Sequence, residues 1–346
     1  MKANLKIKTT WFICTMIISS CIQITFSQDL HFSQYFNAPL LVNPANTGFS
    51  PDVDWRAGIN YRNQWAGIIS NPYKTMSAWG DAQLFNNRFE NGWMGVGLSI
   101  LKDAAGTGNL SSTKVYGSVA YHQLIGYNSL LSGGFGIGGV NKQIDISKLT
   151  FDNQWNGKFF DITVPSNEVF NNTSVWYLDF NAGINYAWFP SDKAYINAGF
   201  SALHINSPKE SFFANSATDT RVDPRFNIFL NGSFKLNDQW IINPNIYVSQ
   251  TAKANETVVG MNAHYNLSGD GNMQLIGGLY YRLKDAIIPM IGYQFSDIAI
   301  TVNYDATSSS LGTYSQTKGA YELSIVKTGL FNSYTGKSVK CPTVTF

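Results

Sequence analysis

Long stretches of this sequence alternate apolar and polar residues with a period of two. The clearest example is the stretch 176–188, which reads WYLDFNAGINYAW. Its even positions are apolar or aromatic, and its odd positions are mostly small or polar, with Asp179, Asn181 and Asn185 among them. Because the side chains of a β-strand point alternately to opposite faces, this period predicts a strand with one apolar face and one polar face.

The length of these runs separates two kinds of β-protein. The same alternation recurs at residues 55–62, 226–235, 259–267 and 273–283. Strands of soluble sandwiches usually contain about five or six residues, whereas a tilted strand that crosses a bilayer needs about nine to eleven. Several runs here reach the greater length. The pattern therefore predicts membrane-crossing strands, with aromatic residues near their ends at the two interfaces.

The composition agrees with a membrane protein of this type. Only 13% of the residues are charged, whereas 14% are aromatic, and there are 30 glycines. A soluble domain usually has about 25% charged residues. After residue 27 the chain has no apolar stretch of about 18 residues, so spanning helices are excluded. Since the backbone finds no water in lipid, a closed barrel is the remaining way to cross the bilayer.

We therefore predict an all-β fold, a transmembrane antiparallel β-barrel of outer-membrane type, over residues 55–328. Turn signals such as those at 190–192 and 269–272 divide this region into about fourteen strands. Short connections are expected on the periplasmic side. Longer irregular segments, which we expect on the outside, lie near residues 145–174, 205–224 and 305–318.

The N-terminus predicts export from the cytoplasm. Residues 1–27 contain three lysines, a short apolar run and a polar end, which is the order of a secretory signal peptide. Two processing sites fit. Cleavage after Ser27 would make Gln28 the first mature residue, whereas a lipobox ending at Cys21 would make that cysteine the lipidated first residue. By either route we expect the chain to reach the outer membrane.

A polar segment at residues 28–54 precedes the predicted barrel, and a tail at residues 329–346 follows it. The segment mixes apolar anchors with turn-forming Asn-Pro, so we expect it to pack as a plug or a periplasmic element instead of forming a loose tail. Its candidate plug or partner-binding residues are Phe32, Gln34, Tyr35, Phe36, Asn43 and Pro44.

Five charged residues in or next to the predicted strands are candidate lumen charges. An arginine that faces lipid at the bilayer midplane costs about 2–4 kcal/mol, so such groups should face the lumen and pair there. Structural pairing and ligand binding are both consistent with this position. The five residues are Arg56, Arg62, Asp179, Arg282 and Asp285.

The sequence provides no support for catalysis, a cofactor, a metal or nucleic acid. A glycine pattern at residues 134–139 has dinucleotide-binding spacing, but it lies within an expected strand instead of a strand–turn–helix unit. The four histidines lack metal-ligand spacing, and Cys341 has no local companion. Residues 1–27 carry three lysines and no acid, so the rest has 21 basic and 22 acidic residues and no basic field for nucleic acid.

Several motifs, taken in order, are similar to those of the PorP/SprF family of type IX secretion system membrane proteins from Bacteroidetes. The similarity covers essentially the whole mature chain, and none of the motifs is catalytic. They are DLHFSQYFN at 29–37, NPANTG at 43–48, RNQWAG at 62–67, YRLKDA at 281–286, GAYELS at 319–324 and Cys341-Pro342 before the terminal Phe346.

This resemblance implies a non-enzymatic outer-membrane component of type IX secretion. The implied role is that of secretion and anchoring partner of a cell-surface protein, such as an adhesin of gliding motility, through the C-terminal domain of that cargo. Periplasmic secretion or motor components and outer-membrane lipid are the other implied partners. The alternative is a passive channel for small solutes or hydrophobic compounds. The presence of a plug formed by residues 28–54 distinguishes the two hypotheses, because an open porin does not need a plug.

Overall fold

The computed structural model describes residues 32–50, 52–89, 91–161, 163–168, 172–212, 220–252, 254–310, 312–331, 344 and 346. The predicted signal peptide, both processing sites and Cys341 lie outside the described residues. Within the described ranges, no helix combines the length and the apolar composition needed to cross a membrane.

Fourteen antiparallel strands in the described part of the chain form one closed barrel, which confirms the predicted fold. Each strand pairs with its neighbours in sequence, and the first strand pairs with the last. The shortest strands have 10 residues and the longest has 18, enough to cross a bilayer at a tilt. The strands are β1 (Trp55–Gln64), β2 (Tyr73–Phe89), β3 (Gly92–Ala105), β4 (Leu110–Ile125), β5 (Ser129–Gln143), β6 (Ser174–Ser191), β7 (Ala194–Leu203), β8 (Arg225–Lys235), β9 (Trp240–Gln250), β10 (Asn255–Asn266), β11 (Met273–Arg282), β12 (Ala286–Phe295), β13 (Ile298–Thr307) and β14 (Ala320–Gly329).

The two faces of the wall differ in chemistry as the alternation predicts. On β6, Ile184 is 58% exposed on the outer surface, whereas Asp179 is completely buried on the inner one. Most exposed residues in the middle of the strands are aliphatic, and aromatic residues recur towards the strand ends, as expected for two membrane interfaces. At one end these aromatics include Tyr73, Trp176, Tyr281, Tyr304 and Tyr321, and at the other Tyr121, Trp188, Trp240, Tyr293 and Phe295.

The two ends of the barrel differ in the length of their connections. The end that we call the long-loop end carries three extended loops, at residues 144–173, 204–224 and 308–319. The opposite end, the short-turn end, has tight connections such as 126–128 and 192–193. The third loop begins later than predicted because β13 continues as far as Thr307. This loop contains the short helix α2 (Gly312–Ser315). Another short helix, α1 (Pro39–Val42), precedes the first strand in sequence.

The Ile184→Arg substitution is expected to lower the free energy of unfolding by about 2–4 kcal/mol, because it puts an unpaired charge into hydrocarbon near the middle of β6. The control is Tyr127→Arg in a short turn, where the side chain is 97% exposed and a charge meets water. Denaturant unfolding in lipid vesicles measures the difference. Equal stability of the two variants would contradict a lipid-facing Ile184.

Candidate functional site

Residues 32–50, which we call the luminal segment, lie inside the barrel. Fourteen of these nineteen residues are buried and the other five are partly buried, and ten of the nineteen lie in short helical turns. Proline begins two of its three short helical turns, at a position where the missing backbone N–H would have had no partner. These turns are a 3-10 turn at Tyr35–Asn37, helix α1 at Pro39–Val42 and a second 3-10 turn at Pro44–Asn46.

The luminal segment runs along the lumen from the long-loop end to the short-turn end. Ser33 lies among charged residues near the long-loop end. Asn43, about halfway, donates through its side chain to the backbone oxygen of Ile184, at 2.9 Å. Phe49 packs in an apolar cluster with Trp93 near the short-turn end. All six candidate plug residues therefore lie in the part of the chain that fills the lumen.

A buried charge cluster surrounds residues 33 and 34, at the long-loop end of the luminal segment. Arg62, Arg282, Asp305 and Glu322 project inward from β1, β11, β13 and β14, and each is at most 4% exposed. Asp305 Oδ2 lies 2.9 Å from Arg62 Nη1 and 3.1 Å from Arg282 Nη2. Arg62 also pairs with Glu322, its partner in the β1–β14 register. The four charges thus form one continuous network.

This cluster binds the luminal segment directly. The two carboxylate oxygens of Glu322 accept hydrogen bonds from the backbone N–H groups of Ser33, at 2.8 Å, and Gln34, at 3.1 Å. The Ser33 hydroxyl donates to Asp305 at 2.7 Å and accepts from both arginines. Hydrogen bonds to charged groups contribute about 1.5–3 kcal/mol each, so this cluster is a strong anchor for residues 33 and 34.

A separate ion pair anchors residues 46–48 of the luminal segment, closer to the short-turn end. Arg56 Nη2 on β1 lies 2.5 Å from Asp81 Oδ2 on β2. Asp81 accepts a hydrogen bond from the Gly48 backbone N–H at 2.7 Å, and Arg56 donates to the backbone oxygen of Asn46 at 2.8 Å. Both members of the pair therefore satisfy backbone groups that the irregular segment cannot satisfy within itself.

His122 on β4 adds a further contact near this ion pair. Its Nε2 lies 2.8 Å from the Thr47 backbone oxygen, and its Nδ1 lies 2.7 Å from the Ser132 hydroxyl oxygen. A carbonyl oxygen only accepts, so Nε2 donates to Thr47. The ring also stacks on Trp93, with centroids 5.0 Å apart.

Aromatic contacts hold the segment between its two charged anchors. Tyr35 stacks on Tyr247 with ring centroids 4.6 Å apart, and Phe36 stacks on Tyr280 at 5.5 Å. The Tyr35 hydroxyl donates to Asn231 at 3.1 Å. Burial raises the pKa of Tyr35 well above its usual range, which keeps this hydroxyl protonated as a donor.

The barrel wall approaches the luminal segment most closely at inward-facing glycines. A Cβ atom added to Gly95 would lie 1.9 Å from the Thr47 backbone oxygen, and one added to Gly134 would lie 2.4 Å from the Ala45 backbone nitrogen. Such distances are far below van der Waals contact. Glycine at these two positions lets the two backbones touch.

The Gly134→Val substitution is therefore expected to displace residues 44 and 45 from the wall and to make the luminal segment accessible to added protease. Gly133→Val is the matched control, because a Cβ there meets nothing within 4 Å. Limited proteolysis of intact proteoliposomes, with cleavage sites identified by mass spectrometry, measures the effect. Equal protection in the two variants would show that the close contact does not hold the segment.

Of the two remaining predicted lumen charges, Asp179 lies apart from both anchors, whereas Asp285 adjoins the buried charge cluster. Asp179 on β6 is buried, accepts a hydrogen bond from the Tyr116 hydroxyl at 2.5 Å and pairs with His204 Nδ1 at 2.7 Å. Asp285 lies in the turn between β11 and β12 with a side chain that is 45% exposed, and it pairs with Arg282 at 2.9 Å. Asp285 is therefore a residue of the rim, not of the lumen interior.

Sequence reasoning missed the two acids of the buried charge cluster. Asp305 follows Thr301 and Asn303 on the inward row of β13, and Glu322 precedes Ser324 on the inward row of β14. The alternation that identified Arg62 applies to these strands too and would have found both acids. Within the described residues, no group of three or more His, Cys, Asp or Glu side chains is arranged to hold a metal ion.

Comparison with known proteins relates this barrel to one sequence family. The family model described as type IX secretion system membrane protein PorP/SprF matches residues 24–326. No curated protein matches the chain in sequence.

Solved structures show the same kind of barrel. The deltaS2S3 mutant of the monoaromatic hydrocarbon channel TodX has a TM-score of 0.51 at 10% identity, over 84% of this chain and 93% of that one. The deltaS2 mutant of TodX has a TM-score of 0.50 at 11% identity, over 84% and 93%. The toluene transporter TodX of P. putida has a TM-score of 0.47 at 12% identity, over 86% and 95%. At such identities the likeness concerns the fold alone.

Proposed function

The chain belongs to the type IX secretion system membrane protein family PorP/SprF, and we propose that it is a secretion and anchoring partner of a cell-surface protein. In this proposal the signal peptide directs the chain to the outer membrane, with the long-loop end outside. The barrel then receives the C-terminal domain of a secreted cargo, such as an adhesin of gliding motility. Periplasmic secretion or motor components would meet the short-turn end.

The observation that carries this proposal is the family match, which extends over the luminal segment and nearly the whole barrel. The packing of the lumen supports a binding role over transport through the barrel. The buried charge cluster, the Arg56–Asp81 ion pair, stacked aromatic rings and close backbone contacts all hold residues 33–48 against the wall. A polypeptide passing through this lumen would have to break these contacts.

A passive channel is the second candidate, and one observation favours it. A space of about 200 Å³ lies inside the barrel beside the luminal segment, and a space of about 390 Å³ with mostly polar lining residues lies at the short-turn end. Movement of the luminal segment would join such spaces into a path. Two experiments therefore distinguish the two functions. One measures the effect of removing the luminal segment, and the other measures cargo display after loss of the whole protein.

Deletion of the gene tests the proposed function. We expect proteins that carry a type IX C-terminal domain to disappear from the cell surface, while unrelated surface proteins remain. Surface biotinylation followed by mass spectrometry measures both groups in the same cells. Normal display of every such cargo in the deletion strain would overturn the secretion role.

A complementation experiment tests the side on which cargo binds. Replacement of residues 150–168 in the long loop by a Gly-Ser linker should leave the barrel assembled but fail to restore cargo display. Tyr127→Arg in a short turn is the control and should restore display fully. Failure of the control alone would place the cargo contact at the short-turn end and overturn this part of the proposal.

A further inference from the structure

Strand β6 continues beyond its neighbour β7 at the long-loop end. β7 ends at Leu203, and the pairing of the two strands reaches only as far as Ala182 and Ala202. On its other side, β6 remains paired with β5 as far as Ser174. Residues 174–181 are therefore held in strand conformation from one side only. A closed barrel normally leaves no such edge, because every strand has two neighbours.

The loop that follows β7 covers this edge only in part. The Asn206 side chain accepts from the Phe180 backbone N–H at 3.2 Å and donates to the Leu178 backbone oxygen at 2.7 Å. The loop then passes along the inner face of β6, where Glu210 accepts a hydrogen bond from the Tyr177 hydroxyl at 2.9 Å. Because it turns inward here, the loop does not continue the ladder beyond Leu178.

The uncovered part of the edge presents open backbone groups. Every second residue of a strand directs its N–H and C=O groups to the same side, so those of Trp176 point the same way as those of Phe180. Among the described residues, no group hydrogen-bonds to the Trp176 N–H, the Trp176 oxygen or the Leu178 N–H. The loop returns at Phe212, whose backbone oxygen accepts from the Asn172 N–H at 3.3 Å. Two donors and one acceptor are thus open at Trp176 and Leu178.

The side chains beside this edge follow the two faces of the wall. Trp176 is 69% exposed and Leu178 is 60% exposed on the outer face. Tyr177, between them, reaches Glu210 on the inner face. A strand that continued the wall here would match it with apolar residues outside and polar residues inside. An extended chain also presents its backbone groups at every second residue, which is the spacing of the open groups.

We propose that the β6 edge at Trp176 and Leu178 binds an extended, alternately apolar segment of the secreted cargo, which adds to the wall as a further strand. This mode of binding rests on the proposed secretion role. Addition of a strand to an exposed edge gives affinity through backbone hydrogen bonds and specificity through alternate side chains. The added strand lies between the loop contacts at Phe180 and Asn172, at the end of the barrel where the proposed function places the cargo.

A second copy of the chain matches this edge less well. Two barrels with the same orientation in a membrane are related by a rotation about the membrane normal. A half-turn of this kind aligns the outer face of one β6 with the inner face of the other. Trp176 and Leu178 would then share a face with the inner row of the second copy, so the apolar and polar rows would not match.

Photocrosslinking in living cells tests what binds to the edge. p-Benzoylphenylalanine replaces Leu178, beside the open groups, or Leu230 on the outer face of β8 as the control. Crosslinked peptides are identified by mass spectrometry after irradiation. We expect peptides from proteins with a type IX C-terminal domain at position 178 and none at position 230. Crosslinks at position 178 only to lipid, or to a second copy of this chain, would overturn the proposal.

A proline substitution tests the backbone contact. Trp176→Pro removes the N–H that points to the open edge, whereas Trp176→Ala removes the same side chain and retains this N–H. Both variants keep the ladder to β5, because the backbone groups of Trp176 point away from it. The cargo crosslink from position 178 should be about tenfold weaker in Trp176→Pro than in Trp176→Ala, since a hydrogen bond is lost and the proline ring obstructs the added strand. Equal crosslinking in the two variants would overturn strand addition.

These outcomes also separate strand addition from the secretion role. If gene deletion removes cargo from the surface but the two Trp176 variants crosslink equally, the chain serves secretion through another contact and only strand addition is wrong. If gene deletion leaves cargo display normal and position 178 crosslinks to no cargo, both are wrong.

Discussion

Arg62→Met is expected to lower the free energy of unfolding by about 3–5 kcal/mol, because it leaves two buried carboxylates short of a partner. Arg62 pairs with both Asp305 and Glu322, and all three side chains are at most 4% exposed. Arg282 still reaches Asp305, at 3.1 Å, so Glu322 is the group left without a counter-charge in this cluster. Denaturant unfolding in vesicles, followed by tryptophan fluorescence, measures the loss.

The matched control is an ion pair on the surface. Lys148 pairs with Asp145 at 2.8 Å, but its side chain is 56% exposed in a loop, and solvent screens such pairs. Lys148→Met should therefore leave the unfolding curve unchanged. A loss in Arg62→Met no larger than that of the control would mean that water reaches the cluster.

Deletion of residues 32–46 is expected to open the barrel while leaving its wall intact. The strands satisfy their backbone groups through a closed ladder that does not involve these residues. Without them the lumen of a fourteen-stranded barrel has space for water. Uptake of small hydrophilic antibiotics by cells, or of sugars by proteoliposomes, should rise about tenfold or more over that of the native barrel.

The deletion variant also separates the two candidate functions. Gly133→Val, which changes the wall without meeting the segment, is the control for assembly and should show native permeability. High permeability with normal cargo display would assign the segment to closure of the barrel alone. Loss of display with unchanged permeability would assign it to the cargo. Native behaviour in both assays would show that the segment has neither role.

The sequence determined the fold class and the orientation of most side chains. Both follow from local geometry, because successive residues of a strand face opposite sides whatever their partners are. Ile184 faces outward and Asp179 inward for this reason alone. The same rule places Arg62 and Arg282 on the inner face.

Closure of the barrel, in contrast, determines which inner residues meet. Closure pairs β1 with β14, which brings Arg62 opposite Glu322 although 260 positions separate them in sequence. It also places His122 against Thr47 and Ser33 within the charge cluster. Contacts across a lumen depend on the number, tilt and stagger of all strands together, and a local period of two contains none of these quantities. The sequence predicted a packed segment before the barrel. The path of that segment through the lumen depends on the closed wall around it, which a local pattern does not specify.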